Sequence, residues 1–461
     1  MLDKGLLSRL RTVVGSQNLV SDAAECLPYG YDNSRRQAQP DGVVFARTHE
    51  QVRALLQFCN SHRLPVVARG RGTGTTGATV PVRGGLVLSF ERMTRILEVD
   101  PANRMARVEP GATNQALQDR VAAEGFFWPP DPTSAAFSTI GGNLAYNSAG
   151  PRAVKYGTPR ENTLGLRCVT GSGEEIQTGT RTTKGVVGLD LTRLIIGSEG
   201  TLAIITEALL KLTPRSEAVR TLRAVYSDVR SAALAVSRIM AQATVPCALE
   251  FMDGEAINLL CTQGGLDLPA AAGAVLMIEV DETRRCVDIA AGLVSEVAHG
   301  PGCLEVRTAR SAQEVGTLWA ARKALSPALR NIAPGKINED VVVPVSRLAE
   351  LIDGLSRLSA AHRIPIVNFG HAGNGNVHVN LLVHPEDPQE MSRARRCLDE
   401  TFSLVLELGG TLSGEHGVGL VKRGFVAREI ASPALRIMHG IKREFDPNGI
   451  LNPDKMLPDQ E

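Results

Sequence analysis

Hydrophobic positions along the chain follow two periods, and the switches between them outline the elements. Leu2, Leu6, Leu10, Val13 and Val14 fall at helical spacing over residues 1–15, with Asp3, Lys4, Arg9 and Arg11 between them. That spacing is amphipathic, unlike the unbroken apolar stretch of a signal peptide. From about 40 to 100 strand and helix alternate: a strand is predicted at 43–47, a helix at 49–62 and a strand at 65–68. A second helical pattern over 111–125 aligns Leu117 with Val121, and short β-rich pieces run on to about Leu212. Pro214 ends the last of these and marks an expected domain boundary. Beyond it, TLRAVYSD, PCALEFMDG and AVLMIEVD are apolar strands, with helices at 229–241 and 286–298 between and after them. This order predicts an α+β domain whose antiparallel sheet carries helices on one face. The last segment ends in the loop FDPNGILNPDKML and reads as a return to the first domain. The expected organisation is 1–214, 215–410 and 411–461.

A chain of 461 residues is long enough for two or three domains. Its formal net charge of +1 gives no basic footprint for nucleic acid, and 4% aromatic residues supply no stacking platform for bases. No run approaches the roughly 18 apolar residues that span a bilayer. A cytoplasmic protein is therefore expected, with attachment to the periphery of a membrane as an alternative. The eight cysteines form no Cys-x-x-Cys pair, which argues against an iron–sulfur cluster or a zinc ribbon and for reduced thiols. The 45 glycines cluster, as expected where backbone approaches a ligand.

The first cluster, Gly70, Gly72, Gly74 and Gly77, follows the strand at 65–68. Gly72, Gly74 and Gly77 satisfy G-x-G-x-x-G, but a dinucleotide site of that type needs a helix next. Pro81, Gly84 and Gly85 break any helix, and 86–89 reads as another strand. A nicotinamide-linked enzyme is thereby disfavoured, while the loop's N–H groups still suit a pyrophosphate. The second cluster, Gly141, Gly142, Asn143, Asn147 and Gly150, reads as a loop whose backbone suits a flat heterocycle. The third, Gly197, Glu199 and Gly200, precedes a strand.

Two further motifs carry histidine. NFGHAGNGNVHVNLL places His371, Asn374, His378 and Asn380 between strands at 364–367 and 377–383. Gly373 and Gly375 allow a sharp turn, so the two imidazoles can converge, and His378 and Asn380 share a strand face. GGTLSGEHGVGLVKRG adds Glu415 and His416. A single histidine is usually structural, but two with a carboxylate form a set that holds a divalent metal. LWAARKALSPALRNIAPGKINEDVVVP supplies Arg322, Ser326 and Lys336. Arg322 and Ser326 are four apart on one helix face, and a guanidinium grips a carboxylate bidentately. Without further context each of these would be read as a solvated surface group.

Taken in order, the three glycine segments resemble the FAD domain of the vanillyl-alcohol-oxidase type. The match is to the branch holding D-lactate dehydrogenase, the glycolate oxidase flavin subunit and D-2-hydroxyglutarate dehydrogenase, over about residues 40–456. The resemblance implies a two-subdomain FAD-binding domain plus an α+β substrate (cap) domain. Some relatives link the flavin to a histidine in the first loop; none stands there, so FAD is expected to be non-covalent. The implied cofactor site adds Arg69, Arg71, Thr73 and Ala78 to the first segment and Pro130, Asp131, Thr139 and Ser148 to the second. Ile204 and Ile205 follow the third segment, and Asn452 lies near the end. In similar enzymes the residues matching His371, His378 and Glu415 bind Zn²⁺ or a similar ion, with manganese and iron as alternatives. The residue matching His416 is the base; Asn380, with the two metal-binding histidines, faces the substrate. Those matching Arg322, Ser326 and Lys336 meet its carboxylate. Asn374 stands where many relatives carry Asp, at what reads as a turn.

The implied reaction takes D-lactate to pyruvate. The metal lowers the hydroxyl's pKa, His416 takes its proton, and hydride passes from Cα to flavin N5. D-2-hydroxyglutarate and glycolate are alternative substrates. A reading of another class is a non-catalytic flavin subunit of an electron-transfer complex, against which both histidine motifs argue. The acceptor is open among an electron-transfer flavoprotein, an iron–sulfur subunit, quinone and cytochrome, and a homodimer is compatible with the chain.

Overall fold

The N-terminal amphipathic stretch folds as α1 (Lys4–Val14), capped by the Asp3 carboxylate, which accepts from Leu6 N at 2.8 Å. Thr48 does the same for α2 (His49–His62), accepting from Gln51 N at 3.2 Å. Both helices start where an oxygen satisfies an orphan N–H of the first turn. The computed structural model describes residues 2–262 and 267–459; Met1, at the head of the expected helix, lies outside them. The chain forms two compact units. The first comprises Met1–Ala149, Gly157–Arg215 and Glu415–Glu461, the second Gly150–Tyr156 and Ser216–Gly414.

In the first unit, β1 (Leu19–Val20), β2 (Gly42–Phe45), β3 (Val66–Arg69) and β4 (Leu86–Ser89) form a sheet in the order β1-β2-β4-β3. The last three strands of that order run parallel. Leu10, Val52, Leu55 and Leu56 are fully buried in the core that includes Val44, Val66 and Leu88. Each such leucine contributes about 2 kcal/mol. A second sheet orders β5 (Ile96–Asp100), β6 (Met105–Val108), β8 (Thr163–Thr170), β9 (Glu175–Gly179) and β10 (Ala203–Lys211) as β5-β6-β10-β8-β9, all antiparallel. β7 (Phe126–Phe127) pairs with β11 (Thr213–Pro214). The helical pattern over 111–125 forms α3 (Asn114–Ala122).

The second glycine cluster is not the expected loop. Residues Ile140–Tyr146 form a helix, α4, because the Thr139 hydroxyl accepts from Gly142 N at 3.2 Å and starts it. Glycine is required at 141 for space: a Cβ there would lie 2.6 Å from Pro110 Cβ.

The second unit holds one seven-stranded antiparallel sheet. Its strands are β12 (Ala218–Tyr226), β13 (Ala248–Asp253), β14 (Ala274–Glu282), β15 (Cys303–Thr308), β16 (Gly335–Val342), β17 (Ile366–His371) and β18 (Asn376–Val383). Their order is β15-β12-β14-β13-β17-β18-β16. Helices cover both faces, which corrects the expectation of one. Val225, Met252, Val275 and Phe369 pack with α5 (Gly254–Thr262) and α6 (Ala312–Ala328). The neighbouring Tyr226 points the other way and donates to Ala298 O at 2.7 Å, in the helix Val287–Ala298. Strand period two makes the faces alternate. Among the described residues no helix is long and apolar enough to cross a membrane.

Candidate active site

In the first unit the ends of β3 and α4 and the turn before β10 line one groove. Of the expected cofactor residues, Arg69, Gly70, Ala78, Thr139, Gly141, Gly142, Glu199, Gly200, Ile204 and Ile205 line it. Tyr146, Ser198 and Phe90 line it too and were not anticipated. The groove exists because side chains are missing: a Cβ on Gly70 would meet Thr139 Oγ1 at 2.3 Å. Small walls and backbone N–H groups suit a flat, phosphate-bearing cofactor, so the residues fit FAD.

Arg69 serves the fold here: its guanidinium is buried and donates to Tyr31 O at 2.7 Å and Pro28 O at 3.3 Å. Beside it runs the Gly72 backbone, with φ +65°, where a Cβ would strike the Arg69 guanidinium at 2.4 Å. Arg71 is exposed near Glu91, and the carbonyls of Thr73 and Gly74 accept from Asn33. Gly77 also has a positive φ, +79°. The amide side chains of the second cluster are engaged internally. Asn143 accepts from Asn114 at 3.2 Å, and Asn147 accepts from Thr158 at 3.0 Å and from Arg160 N at 3.1 Å. Pro130 and Asp131 are not among the lining residues; Pro130 O accepts from Asn114, and Ser148 N donates to Asn143 O. Gly150 belongs to the second unit. Asn452 lies behind the groove, its amide donating to Ala78 O at 2.9 Å and Glu199 O at 2.7 Å.

Glu199 is buried, with φ +53°, and its carboxylate faces the C-terminal segment. It accepts from Val418 N at 2.5 Å and Gly419 N at 2.8 Å. Burial raises its pKa, against those two hydrogen bonds. Thr76 Oγ1 donates to His416 O at 3.2 Å, so both ends of the His416 turn are tied to the first unit. His416 Nε2 lies 3.9 Å from Glu415 Oε1.

In the second unit, one face of the sheet gathers a polar row. Register places Glu250 opposite His371 and Phe369 opposite His378, and pairs Asn380 with Asn338 and Lys336 with Leu382. The turn between β17 and β18 brings the His371 and His378 rings to 5.2 Å, edge to face. Lys336 Nζ donates to Ser326 Oγ at 2.8 Å and to Asn380 Oδ1 at 3.3 Å, uniting three expected residues. Arg322 stacks over Phe369 at 4.8 Å. Its Nε donates to Glu250 Oε2 at 2.8 Å, while Glu250 Oε1 lies 2.5 Å from His371 Nδ1.

The sequence reading missed Glu250, which is 1% exposed. The signal was available: a lone carboxylate between Leu249 and Phe251 in an apolar strand must be paired if it is buried. It also missed Asp340, fully buried and opposite His378. Asp340 accepts from Gly414 N at 2.8 Å and from Ser413 Oγ at 3.2 Å, anchoring the residue that precedes Glu415.

Comparison with known proteins fits this arrangement. The family model for the C-terminal domain of FAD linked oxidases matches residues 215–456, and an FAD binding domain model matches 40–179. The chain belongs to the FAD-linked oxidases. It is 39% identical to the glycolate oxidase subunit GlcD of Bacillus subtilis, covering 99% of this chain and 97% of that one. It is 33% identical to a D-lactate dehydrogenase of Anaerostipes hadrus, over 91% of this chain and 90% of that one. Among solved structures, p-cresol methylhydroxylase superposes with a TM-score of 0.81 at 19% identity, covering 99% and 98% of the two chains, and shares the fold. The protein is thus an FAD-linked oxidoreductase with the vanillyl-alcohol-oxidase-type fold and the antiparallel second-unit sheet described above.

Proposed function

We propose that this protein oxidises a short 2-hydroxy acid, D-lactate in the first instance, to its 2-oxo acid with the help of a divalent ion. The observation that carries the reading is the polar row of the second unit, where a cationic group (Arg322, Lys336) stands on the same sheet face as the His371–His378 pair. A substrate of this class presents a carboxylate beside a hydroxyl, and the row offers partners for both.

Arg322 and Lys336 neutralise the carboxylate, with the Arg322 guanidinium carbon 4.8 Å from the Phe369 ring centre. Ser326 and Asn380 hold the Lys336 ammonium in place. His371, His378 and Glu415 would hold the ion, the ligand set that the family resemblance implies. Imidazole and carboxylate together suit Zn²⁺, with manganese and iron as alternatives. When bound, such an ion supplies a Lewis acid for the hydroxyl, and FAD supplies the electron acceptor. His416 accepts the hydroxyl proton, a task for which imidazole is suited near neutral pH. Glycolate is the second reading, favoured by the 39% identical relative named as a glycolate oxidase subunit. That name also favours an electron-accepting partner.

The test is anaerobic bleaching of the flavin by D-lactate, L-lactate, glycolate and D-2-hydroxyglutarate, with metal analysis of the same sample. D-lactate is expected to bleach fastest, and His416→Ala to slow bleaching by about 10²–10⁴-fold, the usual worth of a general base. Bleaching by none of the four, or a wild-type rate in His416→Ala, refutes the assignment.

A further inference from the structure

We propose that Glu250 is a positioning residue that couples the metal ligand His371 to the substrate clamp Arg322. This rests on the functional reading above, because it assigns those two partners their tasks. Glu250 has one oxygen for each: Oε1 lies 2.5 Å from His371 Nδ1, and Oε2 takes the Arg322 Nε proton at 2.8 Å. Its side chain is 1% exposed and Arg322's is 11%, so water does not compete for either bond.

Each bond fixes one partner's chemistry. An anionic Oε1 requires the proton on His371 Nδ1, which leaves the Nε2 lone pair as the metal ligand. Taking Nε of Arg322 leaves the terminal nitrogens to fork onto a carboxylate. The coupling follows from sharing. An ion on His371 Nε2 strengthens the Nδ1–H bond to Glu250 and draws the carboxylate's charge that way. Arg322 is then less neutralised and grips a substrate carboxylate more tightly. By linkage the substrate tightens the ion to the same degree.

Glutamine at 250 reverses the first effect. Its amide N–H would donate to Nδ1, moving the ring proton to Nε2 and blocking the metal position, as the wrong tautomer does in hydrolase triads. The test uses the FAD-loaded full chain. Zn²⁺ affinity is measured by competition with a chromogenic chelator. Affinity for oxalate, a non-reacting analogue of a 2-hydroxy acid, is measured from the flavin spectrum with and without Zn²⁺. Glu250→Gln is expected to weaken Zn²⁺ by about 10–100-fold, the usual effect of losing such a partner. The ratio of oxalate affinities with and without Zn²⁺ should exceed one in the wild type and be smaller in the variant. Arg322→Lys should keep Zn²⁺ affinity and lose oxalate affinity, which excludes a general loss of fold. Wild-type Zn²⁺ affinity in Glu250→Gln overturns the proposal, and so does an unchanged ratio. A wild-type protein that binds neither Zn²⁺ nor oxalate overturns the functional reading instead.

Discussion

Changing Glu199 to glutamine separates two tasks that this buried carboxylate could perform, holding cofactor or holding the His416 turn. Both of its oxygens accept backbone N–H groups, from Val418 at 2.5 Å and Gly419 at 2.8 Å. Glutamine keeps one acceptor and turns an amide N–H toward the other donor. Losing one hydrogen bond to a charged group and orphaning its N–H costs about 3 kcal/mol. Removing a buried negative charge offsets part of that, because burial already pushes this carboxyl above its ordinary pKa. The net loss is about 2 kcal/mol, or a melting temperature lower by roughly 5 °C. His416 lies two residues before Val418, so a shift of the turn also moves the proposed base. A misplacement of about 1 Å costs up to about 10²-fold in rate. The assays are differential scanning calorimetry, bound FAD per chain, and the rate of flavin bleaching by substrate. Lower stability and slower bleaching with FAD content unchanged are expected. A variant that melts with the wild type but loses FAD would refute the reasoning and assign the carboxylate to the cofactor.

Two further outcomes follow from buried charge. Lys442 donates to Thr201 O at 2.7 Å, to Leu451 O at 2.9 Å and to the fully buried Asp446; Lys442→Met should therefore cost about 3–5 kcal/mol in urea denaturation, because Asp446 loses its cation. Burial raises Asp253 from 3.8 to about 6, although it accepts from Ala256 N and Asn368 N. The folded state then holds a proton that the unfolded chain releases, so this contribution is fully present below about pH 4 and is lost as pH rises through about 6. Across that window the wild type should lose about 3 kcal/mol relative to Asp253→Asn, read from unfolding curves at about pH 4 and pH 7; parallel curves would refute the shift.

Much of the first unit was legible because local chemistry decides it. The helix His49–His62 has a capping threonine before it and an apolar face within it, and the structure gives the bounds read from the sequence. Pro81 and the strand Leu86–Ser89 ruled out a helix after the glycine loop, and none forms there. The segment Ile140–Tyr146 failed for the opposite reason. Two glycines read as a loop, yet Gly141 is glycine because Pro110 leaves no room for a Cβ, and tertiary packing overrode weak helix propensity. The two-sided cover of the second sheet was also readable in part. Residues 274–278 are apolar on both alternations, the mark of a strand buried on both faces.

The polar row shows where single-sequence reading stops. Alternation told that His378 and Asn380 share a face, since they stand two positions apart whatever the partner strand. Pairing Lys336 opposite Leu382, or Glu250 opposite His371, is a matter of register between strands distant in sequence. A slip of one residue would turn every one of these side chains to the other face. What fixes the register is the burial of Val367, Phe369 and Leu382 on the same face as the row, so core and site share one constraint. The same constraint reaches the C-terminal segment. Gly414 is held by Asp340, which pairs with His378, and Glu415 begins one Cα step, about 3.8 Å, beyond it. A charged residue inside an apolar strand is thus the informative exception in this family of strands: Glu250 and Asp340 are each buried, each bonded, and each one contact away from a residue proposed to do chemistry.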